Sequence, residues 1–330
     1  MLNNRAKLSE KMFDKDIEMA PTRDGFGNGA VEAGKADERV VVLCADLAES
    51  TRAEWFQKEF PERYIEMGVA EQNMATVASG LANYGKIPFI ASYAAFSPGR
   101  NLEQIRTTIA LNDVPVIVCG MHAGVSVGPD GATHQPLEDI AMMRALPNMI
   151  VVAPCDAEEA RKATLVAAKL GKPIYLRFAR AKTPVFTTKE TPFEIGKAEV
   201  FWAPSAPQAT IVACGALVHN AILAARELEK EGVQVTVINN HTIKPLDEDT
   251  ILKAAKETGA VVTVEEHQKA GGLGSAVAEL LAKKLPTPME FVGVDDSFGQ
   301  SGEPEELIEH YGLDVPHIKH AVERVLRRTQ

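Results

Sequence analysis

The stretch Gly68-Val69-Ala70-Glu71-Gln72-Asn73-Met74 joins a strand-like run, Arg63–Glu66, to a helical pattern running from about Ala70 to Tyr84. A carboxylate at such a junction stands at the carboxyl end of a strand, where parallel sheets gather catalytic and ligand-binding groups. The helix it opens carries small and apolar side chains on most faces (Ala75, Val77, Ala78, Leu81, Ala82), so little of it expects water. Glu71 is therefore expected in an apolar setting, which favours a protonated carboxyl and suits an acid-base group. The position equally suits a structural carboxylate that complements the helix dipole. This segment alone leaves both readings open.

Around this junction, from about residue 25 to 178, short apolar runs alternate with helical patterns. Strands are expected at Arg39–Cys44, Arg63–Glu66, Ile87–Ala91, Pro115–Gly120, Met149–Ala153 and Ile174–Arg177. Helices are expected near Thr51–Phe60, Ala70–Tyr84, Pro98–Ala110, Leu137–Leu146 and Asp156–Leu170. Such alternation predicts an α/β fold with a mostly parallel sheet flanked by helices. Residues 181–197 break it with Thr183-Pro184, Thr187-Thr188 and Thr191-Pro192, a composition of extended linker rather than packed structure. A second alternation follows, with strands Ala209–Cys214, Gln234–Asn239, Ala260–Glu265 and Met289–Val294. Its helices are Leu217–Glu231, Asp247–Thr258, Leu273–Leu285 and a last one from about His317. Two α/β domains are thus expected, 1–182 and 198–330, with a linker over 183–197.

A chain of 330 residues gives each domain enough length to bury its own core. Hydrophobic residues at 45% and charged residues at 24% fit a soluble globular protein. The net charge of −10 leaves no excess of Lys and Arg to neutralise phosphates, so nucleic acid is not an expected partner. No run reaches the ~18 apolar residues of a membrane span, and the polar N-terminus lacks a signal-peptide core. A cytoplasmic chain without membrane contact is expected. Cys44, Cys119, Cys155 and Cys214 lack CxxC spacing, and each ends or follows an apolar strand-like run, so buried, reduced thiols are expected.

Several loops at strand ends carry polar or aromatic groups. His122 opens a glycine-rich loop through Gly124, Gly128, Asp130, Gly131 and His134, whose glycines let backbone approach a ligand closely. Metal ligation is disfavoured there, since no Cys or carboxylate stands at a usual spacing. Tyr93 and Phe96 follow the strand Ile87–Ala91 and suit either a core or a wall for a flat heteroaromatic ring. Arg23, before the first helix, and Arg180, after the strand that closes the first domain, suit either solvent or a phosphate.

In this order, Glu71 in GVAEQNM, Tyr93 and Phe96 in ASYAAF, His122 to Pro136 in HAGVSVGPDGATHQP, and Arg180 in LRFAR resemble the C-terminal two-thirds of transketolase, a thiamine diphosphate enzyme. The resemblance runs from about residue 20 to the end. It implies a pyrimidine-binding fold followed by the transketolase C-terminal domain, and transfer of a two-carbon ketol unit from a ketose phosphate to an aldose phosphate. It implies that Glu71 hydrogen-bonds N1′ of the cofactor's aminopyrimidine, favouring the 4′-imino tautomer that deprotonates the thiazolium, while the cofactor acts as electron sink. Phe96 and Tyr93 would pack on the pyrimidine, with Gly99 where many relatives have a third aromatic. His122 and His134 would contact sugar hydroxyls and assist proton transfers, and Asp130 would bind the donor's C2 hydroxyl. Ser50, Arg23 and Arg180 would hold the sugar phosphate. His241, Glu265, Glu266 and His267 lie in the second domain and read as structural, with Gly271-Gly272-Leu273-Gly274 as a turn packing helix on strand.

Full-length members of that family carry a Gly-Asp-Gly segment, followed by an Asn, that binds magnesium and the diphosphate; this sequence has no Gly-Asp-Gly. The resemblance therefore implies magnesium ligands from a separate N-terminal transketolase subunit and an assembly of two copies of each chain. Deoxyxylulose-phosphate synthase shares the Asp-Gly-x-Thr-His-Gln core but typically has glycine in place of Pro136 and lacks a match to His122. The β subunit of 2-oxo-acid dehydrogenases lacks the Asp130…His134-Gln135-Pro136 pattern. Another thiamine diphosphate enzyme subunit and a non-catalytic assembly subunit remain the alternatives.

Overall fold

Strands that are apolar on both faces need cover on both faces. Val40–Cys44, Ile87–Tyr93 and Ile117–Met121 are buried along almost their whole length. In this computed structural model, which describes residues 1–329, they form the centre of a seven-stranded sheet. Its order is Thr242–Lys244, Ile150–Val152, Ile174–Arg177, Ile117–Met121, Ile87–Tyr93, Val40–Cys44 and Tyr64–Glu66. All neighbours are parallel except Thr242–Lys244, which runs antiparallel to Ile150–Val152. The chain leaves Val40–Cys44 toward Tyr64–Glu66 on one side and returns on the other side as Ile87–Tyr93. That reversal opens a crevice at the carboxyl ends of the strands, where α/β sheets bind ligands.

The second sheet has five strands in the order Met289–Val294, Val261–Gln268, Ala209–Ala213, Val235–Asn239 and Glu199–Trp202, the last antiparallel. Helices cover both sheets, and their starts are written locally. Asp156, Asp247 and Asp314 accept from the backbone N–H three residues on, at 2.9, 3.2 and 3.2 Å, satisfying donors that helix ends leave open. The helix Thr22–Ala36 crosses Ala157–Leu170 so closely that a Cβ on Gly25 would lie 2.1 Å from the Ala157 carbonyl oxygen.

Tertiary packing departs from the expected domain pattern in three places. Thr242–Lys244 belongs by sequence to the second half yet edges the first sheet, and Ile243 joins a core containing Ile140, Met143, Leu273 and Val277 from both halves. The N-terminal segment, grouped by sequence with the first domain, lies on the second sheet, where Asn3 N–H donates to the Phe201 carbonyl at 2.9 Å and Met12 is buried. The linker is extended but packed. Asp156 accepts from the N–H groups of Phe186 and Thr187, Lys162 donates to the carbonyls of Thr188 and Thr191, and Phe186 is fully buried. All four cysteines are buried free thiols. Among the described residues no helix is long and apolar enough to cross a membrane.

Candidate active site

Glu71 is the first residue of the helix Glu71–Asn83 and is 1% exposed. Its setting is less apolar than the helix composition suggests: Arg100 Nη1 lies 3.1 Å from Oε2. Sequence reasoning missed Arg100, because the Pro98–Ala110 segment reads as one helix. The helical turns start later, as Leu102–Gln104 followed by a π-helical stretch Ile105–Ala110. Asn101 turns inward instead, donating to the Glu71 carbonyl at 3.0 Å and to Ser97 Oγ at 3.1 Å. This turn points Arg100 back at Glu71. It also explains Gly99, where a Cβ would meet the Ala95 carbonyl oxygen at 2.1 Å, so the missing aromatic follows from backbone crowding.

Phe96 links this carboxylate to the rest of the site. The Arg100 guanidinium lies 5.5 Å from its ring centroid, and the ring is nearly parallel to that of Tyr93, 5.9 Å away. Tyr93 stacks on His122 at 3.8 Å, and His134 meets both aromatics edge-on at 5.9 and 5.5 Å. Five planar side chains from two strand ends thus make one wall.

His122 follows the strand Ile117–Met121 in a left-handed conformation, φ +55°, and is 1% exposed. Positive φ in a bulky residue stores backbone strain, which gathers at functional sites. Arg23 Nη1 lies 3.1 Å from His122 Nε2. A guanidinium only donates, so Nε2 accepts and the ring proton sits on Nδ1, a buried atom without a partner. Burial first, then the charges of Arg23, Arg180 and Arg52, pushes the His122 pKa down to about 2. The ring is neutral throughout the physiological range.

Arg23 lies inside the first turn of Thr22–Ala36 rather than before it. Pro21, with φ near −73° and ψ near 147°, is the extended residue flanking the helix start, the backbone conformation usual at that position. Arg23 Nη1 also donates to the Ser50 carbonyl at 2.7 Å, and Thr22 Oγ1 accepts from Ala179 N–H at 2.7 Å, tying this helix start to the segment carrying Arg180. Ser50 thus meets Arg23 through its main chain. The helix expected over Thr51–Phe60 is broken at Arg52, φ +68°, into Ala48–Thr51 and Ala53–Glu59. Arg52 Nε donates to Asp24 at 2.7 Å, adding a third arginine that sequence reasoning missed; its place directly after Ser50-Thr51 was the available signal.

Arg180 Nη1 donates to the Val127 carbonyl at 3.0 Å, within the loop from His122 to Pro136. Thr133 Oγ1 lies 2.8 Å from His134 Nδ1, leaving Nε2 as that ring's other polar atom. Asp130 stands exposed on the same loop. Arg23, Ser50, Glu71, Tyr93, Phe96, His122, His134 and Arg180 therefore form a linked set, and Asp130 is exposed on the same loop, outside those contacts. In the second domain, Glu265 accepts from Leu273 and Gly274 N–H, both at 2.7 Å, and His241 stacks on Phe193 at 4.4 Å. Among the described residues there is no group of three or more His, Cys, Asp or Glu that could hold a metal ion.

Comparison with known proteins agrees with this architecture. Residues 18–185 match the transketolase pyrimidine-binding domain family, and residues 196–318 match the transketolase C-terminal domain family. A putative transketolase C-terminal section from Methanocaldococcus jannaschii is 43% identical over 299 residues, covering 90% of this chain and 93% of that protein. A 6-deoxy-6-sulfo-D-fructose transketolase subunit from Clostridium sp. is 37% identical over 316 residues, covering 96% and 98%. A solved structure described as a split gene transketolase, inactive β4 tetramer, superposes with a TM-score of 0.88 at 42% identity, covering 94% of this chain and 99% of that one. The chain spans about half the length of other curated relatives that it matches. With two matched domains in family order, the chain belongs to the transketolase family and carries its pyrimidine-binding and C-terminal domains.

Proposed function

We propose that this chain is the pyrimidine-binding half of a two-chain transketolase, which moves a two-carbon ketol unit from a ketose phosphate to an aldose phosphate. The observation that carries the reading is the continuous array from buried Glu71, across the aromatic wall of Phe96 and Tyr93, to the cations around His122. One end suits an aminopyrimidine, with a desolvated carboxylate and a flat apolar face. The other end suits an anionic sugar terminus, with Arg23, Arg52 and Arg180 grouped near one buried imidazole. Neither end offers the carboxylate cluster that magnesium prefers. We therefore assign the metal and diphosphate to residues of an N-terminal partner chain, in an assembly with two copies of each. A relative described as an inactive tetramer of β chains is what such a chain would form without its partner.

When bound, thiamine diphosphate supplies the electron sink for cleaving and forming the ketose C2–C3 bond. In this assignment Glu71 holds the pyrimidine by a hydrogen bond at N1′, taking over an oxygen that now faces Arg100. Phe96 and Tyr93 keep water from one ring face. His122, neutral and protonated at Nδ1, donates to a sugar hydroxyl without carrying charge, and His134 is the imidazole that moves protons. Asp130 reaches the donor's C2 hydroxyl from the loop. Arg23 and Arg180 bind the phosphate beside Ser50.

The direct test mixes the purified chain with its partner, magnesium and thiamine diphosphate and measures ketol transfer. Turnover is expected only from the mixture, and turnover by this chain alone would sink the two-chain reading. Glu71→Ala should abolish turnover in the mixture; near-normal rates would remove Glu71 from its role.

A further inference from the structure

The loop bearing His122, Asp130 and His134 is gripped from the other domain. Ser126, midway between His122 and Asp130, donates its backbone N–H to Glu266 Oε1 at 2.6 Å, across 140 residues of sequence. Glu266 is 4% exposed, near the end of the strand Val261–Gln268. Its own carbonyl accepts from Arg177 Nη2 at 2.8 Å, and Arg177 is in turn locked on Asp139 at 2.8 Å. The carboxylate is thus anchored at its backbone by one domain's strand while its side chain reaches the same domain's loop. Gly124, at φ +91°, makes room for it, since a Cβ there would lie 2.3 Å from Glu266 Oε1. Gln135 closes the loop from the far side, its Nε2 donating to the carbonyls of Val125 and Gly128 at 3.1 Å each and to Gln300 of the second domain at 2.9 Å.

A buried carboxylate is costly unless its oxygens are used. Burial pushes the Glu266 carboxyl up, and the acceptor it provides goes to a backbone N–H of the loop, not to a helix start as with neighbouring Glu265. The geometry points to Glu266 as a positioning residue through which the C-terminal domain sets the sugar-binding loop. Its side chain acts on the loop backbone at Ser126, between His122 and Asp130. The link to sugar binding rests on the proposed function, whereas the hold on the loop stands independently of it.

The test compares Glu266→Ala and Glu266→Gln in the chain assembled with its partner, magnesium and thiamine diphosphate. The alanine variant should raise KM for a ketose phosphate about tenfold, the size of one lost hydrogen bond. Half-saturation by thiamine diphosphate should stay unchanged, since Glu71 and Phe96 lie on other elements; a general loss of folding would move both. Amide hydrogen exchange over residues 123–136 should quicken by a similar factor in the alanine variant. Glutamine keeps an acceptor oxygen at the same reach and should restore both readouts. Unchanged exchange over 123–136 in Glu266→Ala, or a glutamine variant as impaired as the alanine one, overturns the proposal. A wild-type assembly without ketol transfer overturns the functional reading instead, and the exchange result still decides the hold on the loop.

Discussion

Glu159 sits in the joint between the two domains. Its Oε2 accepts from Cys155 N–H at 2.7 Å, and its Oε1 accepts from Asn239 Nδ2, on the second sheet, at 2.7 Å. Burial, and then the neighbouring Asp156 carboxylate, pushes its pKa from the ordinary 4.5 up to about 7, against the opposite pull of the hydrogen bonds. The folded protein therefore holds this proton more tightly than the unfolded chain. Its contribution to stability is full below pH 4.5 and is lost as pH rises through 7. The separation, about 7 minus 4.5, corresponds to about 3 kcal/mol in total at 1.36 kcal/mol per unit, of which about 2 kcal/mol falls between pH 5.5 and 8.5. Glu159→Gln removes the titration while keeping the shape, and the unpartnered Oδ1 of Asn239 can turn to meet the new amide. Urea unfolding of both proteins at pH 5.5 and 8.5 gives the stability difference at each pH, in which other titrating groups largely cancel. That difference should shift by about 2 kcal/mol in favour of the glutamine variant at the higher pH. A difference that stays constant to within about 0.5 kcal/mol refutes the raised pKa.

Two further outcomes follow from the site. Arg52→Gly places glycine at φ +68°, which relieves backbone strain of about 1 kcal/mol, so stability should hold despite the lost contact with Asp24. In the assembled enzyme KM should rise for a phosphorylated ketose and not for its unphosphorylated analogue; equal losses for both would remove Arg52 from anion recognition. His122, with its pKa near 2, should show ring NMR shifts that do not move between pH 5 and 8, and a midpoint in that range would contradict the neutral ring and its Nδ1 proton.

The elements that were legible in the sequence are those made by short-range rules. Val40-Val41-Val42-Leu43-Cys44 reads as a strand covered on both faces, and the strands Ile174–Arg177 and Met289–Val294 have the bounds that their local pattern predicts. Asp156 with Gly171, and Asp247 with Gly259, bracket helices because a side-chain acceptor and a left-handed glycine solve the two helix ends locally. Elements were misread where a distant contact overrode local pattern. Asn101 spends its amide on Glu71 and delays a helix, Arg52 breaks one to reach Asp24, and the threonine-rich linker packs because Asp156 and Lys162 hold its backbone.

The same division holds for function. The sequence by itself determined the class of fold, the strand ends that carry chemistry, and the order of Glu71, Tyr93, Phe96, His122, His134 and Arg180 along the chain. Periodicity, caps and motifs are interactions within a few residues, so they survive in a linear string. Tertiary structure alone decided that Arg100 faces Glu71, that Arg23 fixes the tautomer of His122, that Thr242–Lys244 edges the first sheet, and that Glu266 holds the loop at Ser126. Those pairings join residues from 29 to 140 positions apart. They depend on which strand ends meet within the first sheet and on how the second domain packs against it, which no spacing in the sequence records.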